Sequence, residues 1–372
     1  MKKIVLASTL FYALVAFEFF YMFSPFAVYL YSVYNPGLQF LSTSETTIRL
    51  VSFFMPHLTR ETSNFFITRH EIFGWIFFWG GLGCFIVGAI QIYWSKLKKR
   101  TSVQGGLYQK IRHPQYLALM IAGFGMLLIW PRYLVLFAFV TQCFVYVWIA
   151  RVEEGICARS FSDYSDYKAR TGMFLPFRIE KKLPRLKLPK TVWKRRLAFA
   201  CYYFFIMALS FLLADWIHGR SVKSLYTYET DNSVFLSIGH LETSGINQLA
   251  EIALADVRVQ DLLEPEQSPN VRFLNYVMPT DLYISEIPMY LPDGKTFNHK
   301  NPDKKNGRYY KIIFSAAVFV SRSAPETGNI IRQAFTVNPI VEVWIDPNAG
   351  QVIAVHQPPE KRIYGNTPVP VF

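Results

Sequence analysis

Cysteine and histidine are both scarce in this chain. Cys84, Cys143, Cys157 and Cys201 are the only cysteines among 372 residues, all before residue 220 and none in a CxxC spacing. That pattern excludes a disulfide framework and a zinc ribbon as organising devices. The seven histidines include no pair at i, i+3 or i, i+4, so no metal site is expected. Acidic residues are also thin at the start. Residues 1–219 hold 10 against 25 basic ones, whereas 220–372 hold 16 against 14. The net charge of +13 therefore belongs to the first part, where basic residues flank apolar runs instead of forming a soluble stripe. Such a distribution reads as membrane topology and attraction to anionic head groups. No nucleic-acid recognition motif accompanies it, and no nucleic-acid partner is expected.

Apolar residues are abundant, at 52%, with 17% aromatic, too many for an ordinary soluble enzyme. Five transmembrane helices are predicted, followed by a soluble α+β domain, with a boundary between 1–219 and 220–372. The first span is residues 4–34, carrying Glu18 inside it and Pro25 as a kink; its length and the lack of a small-x-small site argue against a cleaved signal peptide. Asn35-Pro36-Gly37 makes a turn, and a short helix from Ser44 to Met55 is expected to lie at the membrane interface through Ile48, Leu50, Val51, Phe53 and Phe54. His57 and His70 read as surface or head-group residues. Ile72–Trp94 is the second span: its 23 residues cover roughly 35 Å, enough for a core of about 30 Å. Gly74, Gly80, Gly81, Gly83 and Gly88 are expected to let another helix approach it.

Lys96, Lys98, Lys99 and Arg100 place the next turn on the cytoplasmic side. A hairpin follows, Gln115–Trp130 and Tyr133–Ala150, which returns to its starting side. Two polar clusters, Arg112-His113-Pro114 before it and Glu153-Glu154 after it, are thereby brought to one membrane face. Nine of the 19 residues in 178–196 are basic, a lipid-hugging linker before a last span near 197–217. An odd span count leaves 220–372 extracytoplasmic, and the bacterial inner membrane with a periplasmic C-terminal domain is the expected location. In that domain one amphipathic helix (Ser244–Leu263) is expected, with strands over 310–320 and 330–337 and a hairpin of Ile340–Ile345 with Gln351–His356. A charged loop, 293–308, and a Pro-rich end make it a possible partner-binding module.

Two adjacent carboxylates at a membrane helix end require water, cations or hydrogen-bond donors. Internal salt bridges to Arg112, Arg151 or the linker would satisfy them, and so would a cationic ligand. His113 precedes a proline, which favours an extended or turn conformation there, and Gly105-Gly106 permits close backbone approach.

Across about 75 residues the order G-x-Y-x-x-[IV]-R-H-P-x-Y, apolar hairpin, E-E, F-x-x-Y-x-x-Y, F-[IL]-P resembles the isoprenylcysteine carboxyl methyltransferase and phospholipid methyltransferase family of integral membrane enzymes. Gly106, Tyr108, Arg112, His113, Pro114, Tyr116, Glu153, Glu154, Phe161, Tyr164, Tyr167, Phe174 and Pro176 carry the match. The resemblance implies an S-adenosylmethionine-dependent methyltransferase with a lipid or lipid-linked acceptor. It implies a cofactor pocket of Gly106, Tyr108, His113, Pro114, Tyr116, Glu153, Glu154 and Tyr167. Carboxylates and aromatic faces would there stabilise the cofactor's sulfonium and ammonium. Catalytic roles fall to Arg112, Glu154 and Arg170, the arginines, with Arg151, being candidates to orient an acidic acceptor. Ser162 stands where some members have glycine, and Cys157 at a commonly apolar position. Two other classes fit the same pattern: a catalytically idle methyltransferase-like scaffold that assembles a partner through its C-terminal domain, and a membrane reductase of the steroid-reductase type.

Overall fold

The computed structural model describes residues 35–44, 47–97, 105–160, 162–176, 179, 189, 191–266, 271–284, 286–290, 309–319 and 325–359. The apolar run 4–34 with Glu18 and Pro25, the basic residues 98–100, most of the basic stretch 178–196 and the loop 293–308 lie outside them. Among the described residues the chain divides into two compact units, one of residues 70–213, the other of 35–69 with 214–359.

The first unit is helical: α1 (His70–Leu97), α2 (Pro114–Ile129), α3 (Tyr133–Ser160), α4 (Tyr164–Arg170) and most of α5 (Val192–Lys223). Three helices, α1, α3 and α5, are long and apolar enough to cross a membrane, and α2 is a shorter apolar helix of 16 residues. These support a helical membrane part without confirming a count of five. The long helices run past the predicted spans. In particular α3 continues ten residues beyond Ala150, so Glu153 and Glu154 stand on its last turns. Phe204, Phe205, Leu209, Leu212 and Leu213 of α5 are exposed, a surface that lipid favours and water does not.

α1 and α2 touch through their backbones. A Cβ on Gly81 would lie 2.6 Å from both the Ala118 carbonyl oxygen and the Ala122 nitrogen, and one on Gly74 2.9 Å from the Gly125 carbonyl. Without a hydrophobic effect between helices in lipid, such close van der Waals approach supplies much of the association. Gly80 and Gly83 instead face open space, so the small-residue reading holds for part of the set only.

The second unit is built on a six-stranded sheet in the order β1 (Thr227–Glu229), β2 (Ser233–Ser237), β3 (Phe273–Pro279), β4 (Tyr310–Phe319), β5 (Ala334–Asp346) and β6 (Gln351–His356). All pairs are antiparallel except β2 with β3. That parallel pair needs a crossover, which two helices supply, α6 (Thr243–Ala255) and α7 (Val257–Leu263). Side chains alternate across the sheet. Ile312 and Phe314 pack with Ile246, Leu249 and Val259 of the helices, whereas Ile313, Leu274 and Tyr276 join Leu58, Ile284 and Ile330 on the other face.

Several sequence expectations are corrected here. Ser244–Leu263 is not one helix. Asp256 is extended and its carboxylate accepts from the Arg258 backbone N–H at 2.9 Å, capping a second helix, and Val257 is exposed. Residues 330–333 form a helical turn rather than the start of a strand, and both Ile330 and Ile331 are buried. The segment expected at the membrane interface is instead part of the sheet unit. Its helix covers only Ile48–Val51, Val51 packs with Leu38 and Phe335, and Phe53, Phe54 and Met55 are buried. Backbone hydrogen bonds from Arg60 to Ile238 and from Ser63 to Ser224, both 2.8 Å, tie it in. His57 stacks on Phe53 at 4.4 Å and His70 is buried, so neither is a simple surface residue.

Candidate active site

Pro114 opens α2 at its first turn, where a missing N–H costs nothing. His113 before it is held by the backbone: its N–H donates to the Met173 carbonyl at 3.1 Å, and that of Arg112 to Gly172 at 2.9 Å. Gly172 in turn donates to Lys110 at 3.2 Å. The strand-like pairing of Ile111 with Gly172 therefore fixes the segment before α2 against the segment after α4. Just upstream, Gly106 has φ 61°, and a Cβ there would strike the Gln91 amide at 2.5 Å; only glycine fits both constraints. Gly105 has open space around it.

Glu154 is enclosed. Its side chain is 7% exposed. One oxygen accepts from Arg112 Nε at 2.6 Å and lies 3.6 Å from His113 Nε2, and the other meets Lys168 Nζ at 2.7 Å. Arg112 also donates through Nη1 to the Thr171 carbonyl at 2.6 Å and to Lys168 O at 3.3 Å. This guanidinium thus joins the end of α3 to the end of α4, and the internal salt-bridge reading describes Glu154 well. Glu153 differs: its side chain is 34% exposed. It accepts from the Tyr116 hydroxyl at 2.5 Å and lies 3.5 Å from His113 Nδ1. Burial opposes protonation of His113 and is the largest single influence on it, but the two carboxylates together outweigh it and raise its pKa above the ordinary value.

Aromatic rings line the same place. Tyr116 lies parallel to His113 at 5.7 Å and to Tyr146 at 5.2 Å, and Phe174 approaches His113 at 6.0 Å. The Tyr167 hydroxyl donates to the Tyr108 carbonyl at 2.7 Å, which fastens the turn carrying Tyr108 to α4.

Tyr108, Arg112, His113, Pro114, Tyr116, Glu153, Glu154 and Tyr167 therefore converge, although about 40 residues of hairpin separate the two clusters. Arg170 is exposed at the end of α4, and its charge is felt at Tyr167. Sequence reasoning missed Lys168 and Thr171. The spacing of F-x-x-Y-x-x-Y draws attention to its aromatics, and a lysine one residue after Tyr167 carries no signal until α4 turns it toward Glu154. Among the described residues no group of three or more His, Cys, Asp or Glu side chains is arranged to hold a metal ion.

Residues 76–164 match the phospholipid methyltransferase family. The matched stretch runs from within α1 to Tyr164 and includes every site residue named above except Tyr167, Lys168, Arg170 and Thr171 with their neighbours. No curated protein and no solved structure matches this chain. The family match and the apolar helices together point to a membrane methyltransferase.

Proposed function

We propose that this protein is an integral membrane methyltransferase that uses S-adenosylmethionine to methylate a lipid or lipid-linked acceptor. The observation that carries the reading is the unequal Glu pair. Glu154 has its charge met by Arg112 and Lys168, whereas Glu153 is partly exposed beside a stack of rings, a combination suited to a cationic ligand. When bound, the cofactor supplies a methyl group on positively charged sulfur. Glu153 and Tyr116 would hold its cationic end, with Tyr108, His113, Pro114, Tyr167 and the backbone at Gly106 shaping the pocket. Arg112 and Glu154 would keep that pocket in register, and Arg170 would orient an acidic acceptor. Positioning and exclusion of water suffice for such a transfer, so no nucleophilic side chain is required.

The detergent-purified protein is expected to bind S-adenosylmethionine in the micromolar range by calorimetry. Glu153→Gln should weaken that binding by about tenfold or more. Absence of binding by the unsubstituted protein would end the reading.

The same proposal places the two polar clusters in the cytoplasm and the sheet unit across the membrane. Residues 35–69 and 214–359 fold as one unit, so the chain between them crosses an even number of times. Because α1, α3 and α5 make three crossings, α2 makes the fourth. Its 16 residues reach about 24 Å, short of an average core but long enough with local thinning. A cysteine at Asn348, in the exposed turn between β5 and β6, should react with an impermeant thiol reagent added outside intact cells. Labelling only after the inner face is opened would reverse the orientation.

A further inference from the structure

Two helices long and apolar enough to cross a membrane, α1 and α5, adjoin the sheet unit in sequence: residues 35–69 lead into α1, and α5 from Ala214 onward belongs to the unit. The Ser63 N–H donates to the Ser224 carbonyl at 2.8 Å, and the Ser63 hydroxyl donates to the same oxygen at 3.1 Å. The entry to α1 and the exit from α5 are thus each within a few residues of one hydrogen-bonded point. Between that point and α1 lies a single helical turn, Phe65–Thr68. Asn64 caps it, its side-chain oxygen accepting from the backbone N–H of Phe66 at 3.0 Å and of Ile67 at 3.3 Å. Ile67 is buried, whereas Phe65 and Phe66 are 65% and 71% exposed, their rings edge to face at 5.7 Å. The cap and the buried isoleucine hold two large rings where water disfavours them.

Apolar exposure continues along the chain into α1, at Ile72, Trp75 and Ile76. In the last turns of α5, Trp216 is exposed and the Arg220 guanidinium lies 5.4 Å from its ring centroid, and exposed Arg69 directly follows the Phe65–Thr68 turn. Aromatic rings beside arginines match a head-group layer, which takes the rings at the acyl boundary and the guanidiniums at its phosphates. We propose that Phe65 and Phe66 form a lipid-binding wedge, inserted between head groups and acyl chains of the leaflet beside the sheet unit and docking that unit on the bilayer. Phospholipid is the occupant because Phe66 precedes the exposed apolar flank of a membrane helix by six residues, with arginines placed to meet phosphate. The membrane contact is thereby assigned to a different segment from Ser44–Met55, whose Phe53, Phe54 and Met55 are buried. The inference rests on the membrane crossings in the reading above and is independent of methyl transfer.

The test uses the unsubstituted full-length protein in vesicles of phosphatidylethanolamine and phosphatidylglycerol doped with a phospholipid that carries a diazirine near the head of one acyl chain. After irradiation, trypsin releases residues 61–69 and 197–220 as separate peptides, and mass spectrometry locates the lipid adducts. The second peptide carries the exposed Phe204, Phe205 and Leu209 of α5 and reports whether that helix lies in lipid. Adducts are expected on both peptides, at Phe65 or Phe66 in the first. The peptide of residues 333–361, with the exposed turn between β5 and β6, should carry several-fold less. Adducts on 197–220 with none on 61–69, as cover by a second copy or another protein would give, overturn the wedge and leave the membrane crossings standing. Adducts on neither peptide remove the crossings themselves, and with them both the wedge and the proposed function.

Discussion

Replacing Glu154 by alanine is expected to destabilise the helical unit by about 3–5 kcal/mol, the usual cost of stripping one partner from a buried ion pair. Arg112 is the reason. Its side chain is 8% exposed, so losing Glu154 leaves a guanidinium out of water with, among the described residues, the Thr171 carbonyl and hydroxyl and the Lys168 carbonyl to satisfy it. The Lys168 arm matters less. That side chain is 50% exposed, and a pair screened to this extent is worth about 1 kcal/mol or less. Lys168→Ala should therefore be mild where Glu154→Ala is severe. Thermal melting in detergent measures both. Equal effects would mean that Arg112 is not what Glu154 holds, and would remove the distinction drawn between the two glutamates.

In the sheet unit the corresponding result is expected at Glu342, which is fully buried, as is Lys311 beside it. Glu342 accepts from the Tyr290 N–H at 2.6 Å and from Trp344 Nε1 at 2.7 Å, and lies 3.5 Å from Lys311 Nζ. Burial lowers the Lys311 pKa, against the opposing pull of Glu342 and then Asp281. Glu342→Ala removes the closest counter-charge and two hydrogen-bond acceptors at once, so a loss of about 3–5 kcal/mol is expected. That corresponds to a fall in melting temperature on the order of 10 °C for a unit of this size. Combining Lys311→Met with Glu342→Leu should restore at least half of the loss, since apolar replacement of a buried pair is often neutral. A double variant as unstable as Glu342→Ala alone would show that the Tyr290 and Trp344 contacts, rather than the buried charge, dominate.

The two parts of the chain differ in how much was legible beforehand. Membrane helices announce themselves by run length, since each must satisfy its own backbone in lipid; the run that became α1 was read to within a few residues. The sheet unit was harder. Strands β1 to β3 were missed, because buried runs such as Phe273–Pro279 lack the alternation that marks a half-buried strand. The segment Ser44 to Met55 was assigned to the membrane interface on its apolar content, which serves equally well for burial against a distant sheet. Pro339 lies opposite Ser315 at a register shift between β4 and β5. There its missing N–H is tolerated, and a strand continues where a break was expected.

By itself, the sequence determined that Arg112-His113-Pro114 and Glu153-Glu154 meet, because a helical hairpin of known rise returns to its starting face whatever packs around it. Tertiary structure alone decided how the two carboxylates divide. Glu153 and Glu154 are adjacent and chemically identical in the sequence. Their difference arises from the rotation of α3, which directs one toward Arg112 and Lys168 and the other toward Tyr116 and a more open position. Charge, hydrophobicity and spacing are local properties; burial and the identity of a partner are not.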